Sequence, residues 1–121
     1  MASLLPKDAG ARHQHMTVNL YYKGADGSTR RFSVEMESSG IAAAVRAEEG
    51  NERYEYFTPL DDSETVLLID SWRNQKALDA HHASPMMKQL AELHEKYDLH
   101  MIVERYASAD EPEGEERFIR K

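Results

Sequence analysis

The sequence predicts an α+β domain in the order strand-helix-strand-strand-helix-strand (β-α-β-β-α-β), an antiparallel sheet on the ferredoxin-like plan. Three observations predict it. Residues 16–22 alternate Val18, Leu20 and Tyr22 with Thr17, Asn19 and Tyr21, the period-two pattern of a strand. Met86, Leu90, Leu93 and Tyr97 recur at i, i+4, i+7 and i+11, one face of a helix. Residues 65–72 hold the run VLLID, apolar at consecutive positions, as in a strand covered on both faces. In a small sheet with helices on one face only, the second cover is expected to be another subunit.

The remaining elements follow in chain order. Residues 1–15 are polar and without periodicity, and are expected to be a tail before a domain over 16–106. Gly24 to Ser28 is a turn cluster. Phe32, Met36, Ala43 and Ala47 then suggest one helix, which Gly40 bends or weakens and Gly50-Asn51 ends. Residues 53–57 are a Tyr-rich strand, 59–64 a turn, and 65–72 the third strand. Asn74 caps a short helix through Ala80. Ser84, as cap, and Pro85, at the first helical position, open the long one. Residues 100–106 form the last strand. An acidic tail over 107–121 carries Pro112 and Gly114, with Phe118 and Ile119 near its end.

Composition narrows the function. The chain has 121 residues and a formal charge of −7, a sign that disfavours nucleic acid and anionic membranes as partners. It has no cysteine, so disulfides, thiolate metal sites and cysteine nucleophiles are excluded. No run approaches ~18 apolar residues and no signal-peptide core is evident, so a cytoplasmic protein is the expectation. No Gly-rich phosphate loop, dinucleotide fingerprint or GxSxG elbow appears.

The candidate residues cluster by type. None of the six histidines has HExxH spacing, and no metal site is expected. His13 and His15 fall in the tail. His94, beside Glu95, is expected to face solvent. His81 and His82 sit at the junction of two helices, a place for either a cation favoured by the helix C-terminus or a base working near pH 7. Trp72 is either core or an aromatic wall for a flat ligand. Asn19 interrupts an apolar strand and needs partners for its amide. Tyr21, Tyr54 and Tyr56 add aromatic surface suited to a planar phenolic or quinoid molecule.

The run VLLIDSWRNQKALDAHHASPMMKQLAELHEKYDLHMIVERY, with AEEGNERYEYF before it, resembles the antibiotic biosynthesis monooxygenase family over Met16 to Tyr106. In particular it resembles small bacterial members assigned to quinol oxidation. The resemblance implies a homodimeric α+β barrel in which two sheets pack face to face. It also implies oxidation of a quinol or polycyclic phenol by O₂ with no flavin, haem or metal. On that reading Trp72 is the stacking wall, Asn19 the hydrogen-bond partner of a substrate oxygen and His81 the base. Tyr21, Tyr54, Tyr56 and His82 surround the substrate. Haem-degrading relatives use an Asn, a Trp and a His. Here Asn19 matches, but His81 falls at the Trp position and Ala91 at the His position, so haem degradation is not expected. Two alternatives stand beside oxygenation. One is an isomerase or tautomerase of a small carbonyl or phosphorylated compound, with Arg46, Arg53 or Arg105 as a local basic spot. The other is a stress-related binding dimer without turnover.

Overall fold

The computed structural model describes residues 14–109 and 113–121. The expectations for residues 1–13, including His13, and for 110–112 lie outside the described residues. Four strands are present: β1 (Met16–Lys23), β2 (Asn51–Phe57), β3 (Thr65–Trp72) and β4 (His100–Ala107). They form one antiparallel sheet in the order β2-β3-β1-β4. Four helices, α1 (Ser28–Ser38), α2 (Ile41–Arg46), α3 (Gln75–His82) and α4 (Met86–Lys96), fill the two crossovers. The ferredoxin-like plan holds, with each helical connection split in two.

The first split corrects an expectation. Gly40 adopts φ +86°, a left-handed conformation that ends α1 and restarts the chain as α2. The interruption resets the helical phase. Phe32 and Met36 are buried as expected, but Ala42 and Val45 follow them, while Ala43 and Ala47 face solvent. At α3 the cap is as expected, with Asn74 Oδ1 accepting from the Ala77 amide at 2.9 Å. At α4 it is not. Pro85 is the cap residue, and the Ser84 hydroxyl is buried without a partner among the described residues.

Register decides which side chains share a face. Across the sheet, Tyr54 lies opposite Asp70, Asp70 opposite Val18 and Val18 opposite Arg105. The next row on the same face is Tyr56, Leu68, Leu20 and Val103. This face meets the helices, and Val18, Tyr22, Leu68 and Trp72 join Phe32, Met36, Leu78, Leu90 and Leu93 in the core. Burying a side chain of this size contributes roughly 1.5–3 kcal/mol. The opposite face carries Thr17, Asn19 and Tyr21 of β1 and Leu67, Ile69 and Ser71 of β3. The 2.8 Å bond between the Thr17 and Ser71 hydroxyls lies on it. No helix covers this face among the described residues, and Ile102 and Tyr106 of β4 are more than half exposed on it. The doubly apolar β3 is therefore buried on one face and half-buried on the other.

The two ends of the domain meet. The His15 amide donates to the Ser108 hydroxyl at 3.0 Å, and the Ser108 amide returns a bond to the His15 carbonyl at 2.9 Å. Gln14 Nε2 also donates to the Ser108 carbonyl. Residues 14 and 15, expected in the tail, thus continue the β1–β4 pairing. Beyond it, Glu115–Phe118 is one short 3₁₀ turn with Phe118 and Ile119 exposed. No helix of the described residues is long and apolar enough to cross a membrane.

Candidate active site

A cavity of about 220 Å³ opens between the helix-facing side of the sheet and helices α3 and α4. Val18, Leu20, Leu68, Met87, Leu90 and Val103 give it apolar walls. Its polar groups are Asp70, His81, His82, His94, Tyr22, Tyr54 and Arg105. A larger groove at the far end of the sheet is open and mixes Lys23, Arg31 and Lys96 with Asp26 and Asp98.

The polar end of the cavity is built from two linked pairs. The β3 period that places Leu68 and Trp72 in the core also buries Asp70 between them. Trp72 Nε1 donates to Asp70 Oδ1 at 2.7 Å. Burial nevertheless pushes the Asp70 carboxyl up to about 6, with Glu48 adding to it and His81 and the Trp72 bond opposing it. The second pair is His81 and Glu48. His81 Nδ1 lies 2.6 Å from Glu48 Oε2, with the His81 side chain 4% exposed. As a carboxylate Glu48 can only accept, so it holds the proton on Nδ1 and leaves Nε2 as the free nitrogen. The imidazole stacks on Trp72, ring centroids 4.7 Å apart and planes 26° from parallel. A ring fixed by a carboxylate and an indole is preorganised for proton transfer.

Tyr54, Tyr56, His82 and His94 are tuned mainly by burial. Tyr54 lines the cavity, and burial together with Tyr56 pushes its hydroxyl far above the ordinary phenol range. The Tyr56 hydroxyl donates to that of Tyr54 at 3.4 Å. Burial, His81 and Arg105 all lower His82. His94 is lowered by burial alone, and its Nε2 is buried without a partner among the described residues.

The structure brings only some of the expected residues together. His81, His82 and Tyr54 line the cavity. Tyr56 stands behind Tyr54. Trp72 is fully buried and cannot be a stacking wall, because its indole is already committed to His81 and Asp70. Asn19 and Tyr21 are on the other face of the sheet, because their positions in β1 are odd where Val18, Leu20 and Tyr22 are even. Within one chain they are therefore separated from His81 by the sheet. His94, expected in solvent, packs on Tyr22 and Phe32 at centroid distances of 5.2 and 5.5 Å.

Asp70 and Glu48 were not anticipated. Asp70 carries a usable signal, since it shares parity with Leu68 and Trp72. Glu48 carries none, because its contact with His81 spans 33 positions.

A four-stranded antiparallel sheet with a pocket under its helices defines the ferredoxin-like class of small α+β proteins. Within that class, a family model for antibiotic biosynthesis monooxygenase matches residues 16–93, and the chain belongs to this family. The fold is shared by solved structures of low identity. A possible oxidoreductase of unknown function from Bacteroides thetaiotaomicron is 16% identical, with a TM-score of 0.69 over 79% of this chain and 99% of that one. A provisionally assigned antibiotic biosynthesis monooxygenase from Deinococcus radiodurans is 20% identical, at 0.65 over 81% and 95%. Another from Caulobacter crescentus is 12% identical, at 0.70 over 85% and 97%. No curated protein gives a significant match.

Proposed function

We propose that the chain is an oxygenase that uses O₂ to oxidise a small quinol or phenol, the substrate itself supplying the electrons. The observation that carries this reading is the Glu48–His81 pair beside Asp70 at the end of an otherwise apolar cavity. A volume of about 220 Å³ is below the ~300–1,000 Å³ usual for ligand pockets, which favours one or two rings over four. His81 takes the phenolic proton through Nε2, and Glu48 stabilises the imidazolium. The quinolate passes one electron to O₂, and the two radicals join through a C–O bond at the ring carbon beside the oxygen. Loss of that carbon's proton breaks the O–O bond and releases water. For 1,4-naphthoquinol the balance is C₁₀H₈O₂ + O₂ → C₁₀H₆O₃ + H₂O. The apolar walls keep bulk water from the anion.

The reading includes a second copy of the chain on the open sheet face. Asn19 Oδ1 is buried there without a partner among the described residues, beside half-buried Leu67 and Ile69 and exposed Ile102. An apolar face with an unsatisfied acceptor is the surface a self-complementary partner would complete.

The test is turnover of 1,4-naphthoquinol under ¹⁸O₂. One labelled oxygen in 2-hydroxynaphthoquinone is expected, whereas autoxidation gives unlabelled naphthoquinone and peroxide. His81→Asn and Glu48→Gln are expected to lower labelled product at least ~10²-fold and ~10-fold respectively. Variants that match the wild type would overturn the assignment. Asp70, poised near pH 6 beside His81, also favours a second reading: O₂-independent proton shuttling in an isomerase. Turnover of a small keto–enol substrate under nitrogen would distinguish it.

A further inference from the structure

The structure sorts the three arginines that could form a basic spot. Arg46 is committed, paired with Glu37 and donating to the Tyr54 carbonyl at 2.9 Å. Arg53 is paired with Glu55 at 2.8 Å. Arg105 lines the cavity, and among the described residues it has no carboxylate partner. Its guanidinium donates to the neutral Gln75 Oε1 at 3.0 Å.

Register fixes where this cation sits relative to the acid–base groups. Arg105 and Asp70 both lie opposite Val18, so they occupy the same row of the sheet, two strands apart. Two strand spacings are roughly 9–10 Å between α-carbons. The cavity therefore has a guanidinium at its β4 edge and the Asp70–His81 end on the far side of Val18. His82, lowered in part by Arg105, is at the same edge and is poorly suited to stay charged beside it. Arg105 is exposed at the cavity edge, so in a chain of net charge −7 it presents a guanidinium, without a carboxylate partner among the described residues, to an anion entering the cavity.

We propose that Arg105 is a specificity residue that receives a carboxylate on the substrate. The substrate class becomes a hydroxylated aromatic acid whose two oxygen functions lie at opposite ends of one or two fused rings. The hydroxyl then sits at His81 and Asp70 while the carboxylate takes a forked hydrogen bond from the guanidinium. This rests on the reading of the cavity as the substrate site, but not on the use of O₂.

The experiment is calorimetric titration of the full-length protein with 6-hydroxy-2-naphthoate and with 2-naphthol, which lacks only the acid. At pH 7.5 and low salt the acid is expected to bind at least tenfold more tightly, with the advantage shrinking as salt rises. Arg105→Gln is expected to abolish the preference, weakening the acid at least tenfold and 2-naphthol far less. Gln75→Glu supplies the missing carboxylate to Arg105 without altering it and is expected to do the same. Equal binding of the two compounds by the wild type overturns the assignment. So does a preference that survives in both variants. Failure of both compounds to bind overturns the reading of the cavity as well. An intact preference without ¹⁸O incorporation would refute oxygenation alone.

Discussion

Replacing Asp70 by Asn should stabilise the protein at neutral and alkaline pH. In the fold the Asp70 carboxyl is pushed up to about 6 by burial, against about 3.8 for a free one. Between those values the unfolded chain has released a proton that the folded chain keeps. Stability therefore falls as pH rises through this window, and above pH 6 the full penalty is in force. The gap between the two values corresponds to about 3 kcal/mol. The amide introduced by Asp70→Asn would still present an oxygen to Trp72 Nε1 and would carry no charge at any pH, so most of the penalty disappears. The expected gain is ~2–3 kcal/mol at pH 8, near 10 °C in Tm for a chain of this size, and close to zero at pH 3.5. Urea denaturation of both proteins at pH 3.5, 5, 6 and 8, at one protein concentration, measures it. A difference between variant and wild type that does not vary with pH would refute the reasoning. So would a variant less stable at pH 8.

Three further outcomes follow from the same geometry. Trp72→Phe removes the one side-chain donor to Asp70 among the described residues and should cost ~1–3 kcal/mol in urea denaturation; it should also move the Asp70 carboxyl further up, read by carbon-detected NMR titration. Gly50→Ala places a Cβ 2.5 Å from Ala77 Cβ at φ +83°, and a loss above ~1 kcal/mol is expected by the same measurement. Ile102→Asp puts a charge on the open sheet face, and sedimentation velocity should show a dimeric wild type and a monomeric variant with unchanged circular dichroism.

Periodicity made much of the fold legible. The alternation in β1 and the stripe in α4 each define a face without any knowledge of the rest of the chain. Gly40 was visible as a weak point, but the reset of phase beyond it was not, because a glycine can kink a helix or end it. The site was harder to read. Alternation separates Asn19 from Val18, but which of those faces receives the helices is decided by the packing of the whole chain. Trp72 carried the correct signal for a buried aromatic, and its parity with Asp70 implied a buried acid that the apolar run VLLID concealed. His94 sits at i+4 from Leu90 and i+7 from Met87, a helical spacing that could have placed it inward. The Glu48–His81 bond joins the end of one crossover to the other, and no local pattern encodes such a contact.

The bonds between His15 and Ser108 make the domain a nearly closed circuit of chain, entered and left at one corner. Joining those two points by a short linker and opening the chain at the exposed Leu60 turn would preserve every strand pairing in the sheet. The same closure lets the whole unit be inserted into a surface loop of another protein. That corner adjoins the row of Met16, Trp72 and Ala107, which is the row next to Asp70 and Arg105 on the same face. Cargo fused at Gln14 or at Ser108 would stand beside the Trp72 end of β3, whichever side of the junction carried it.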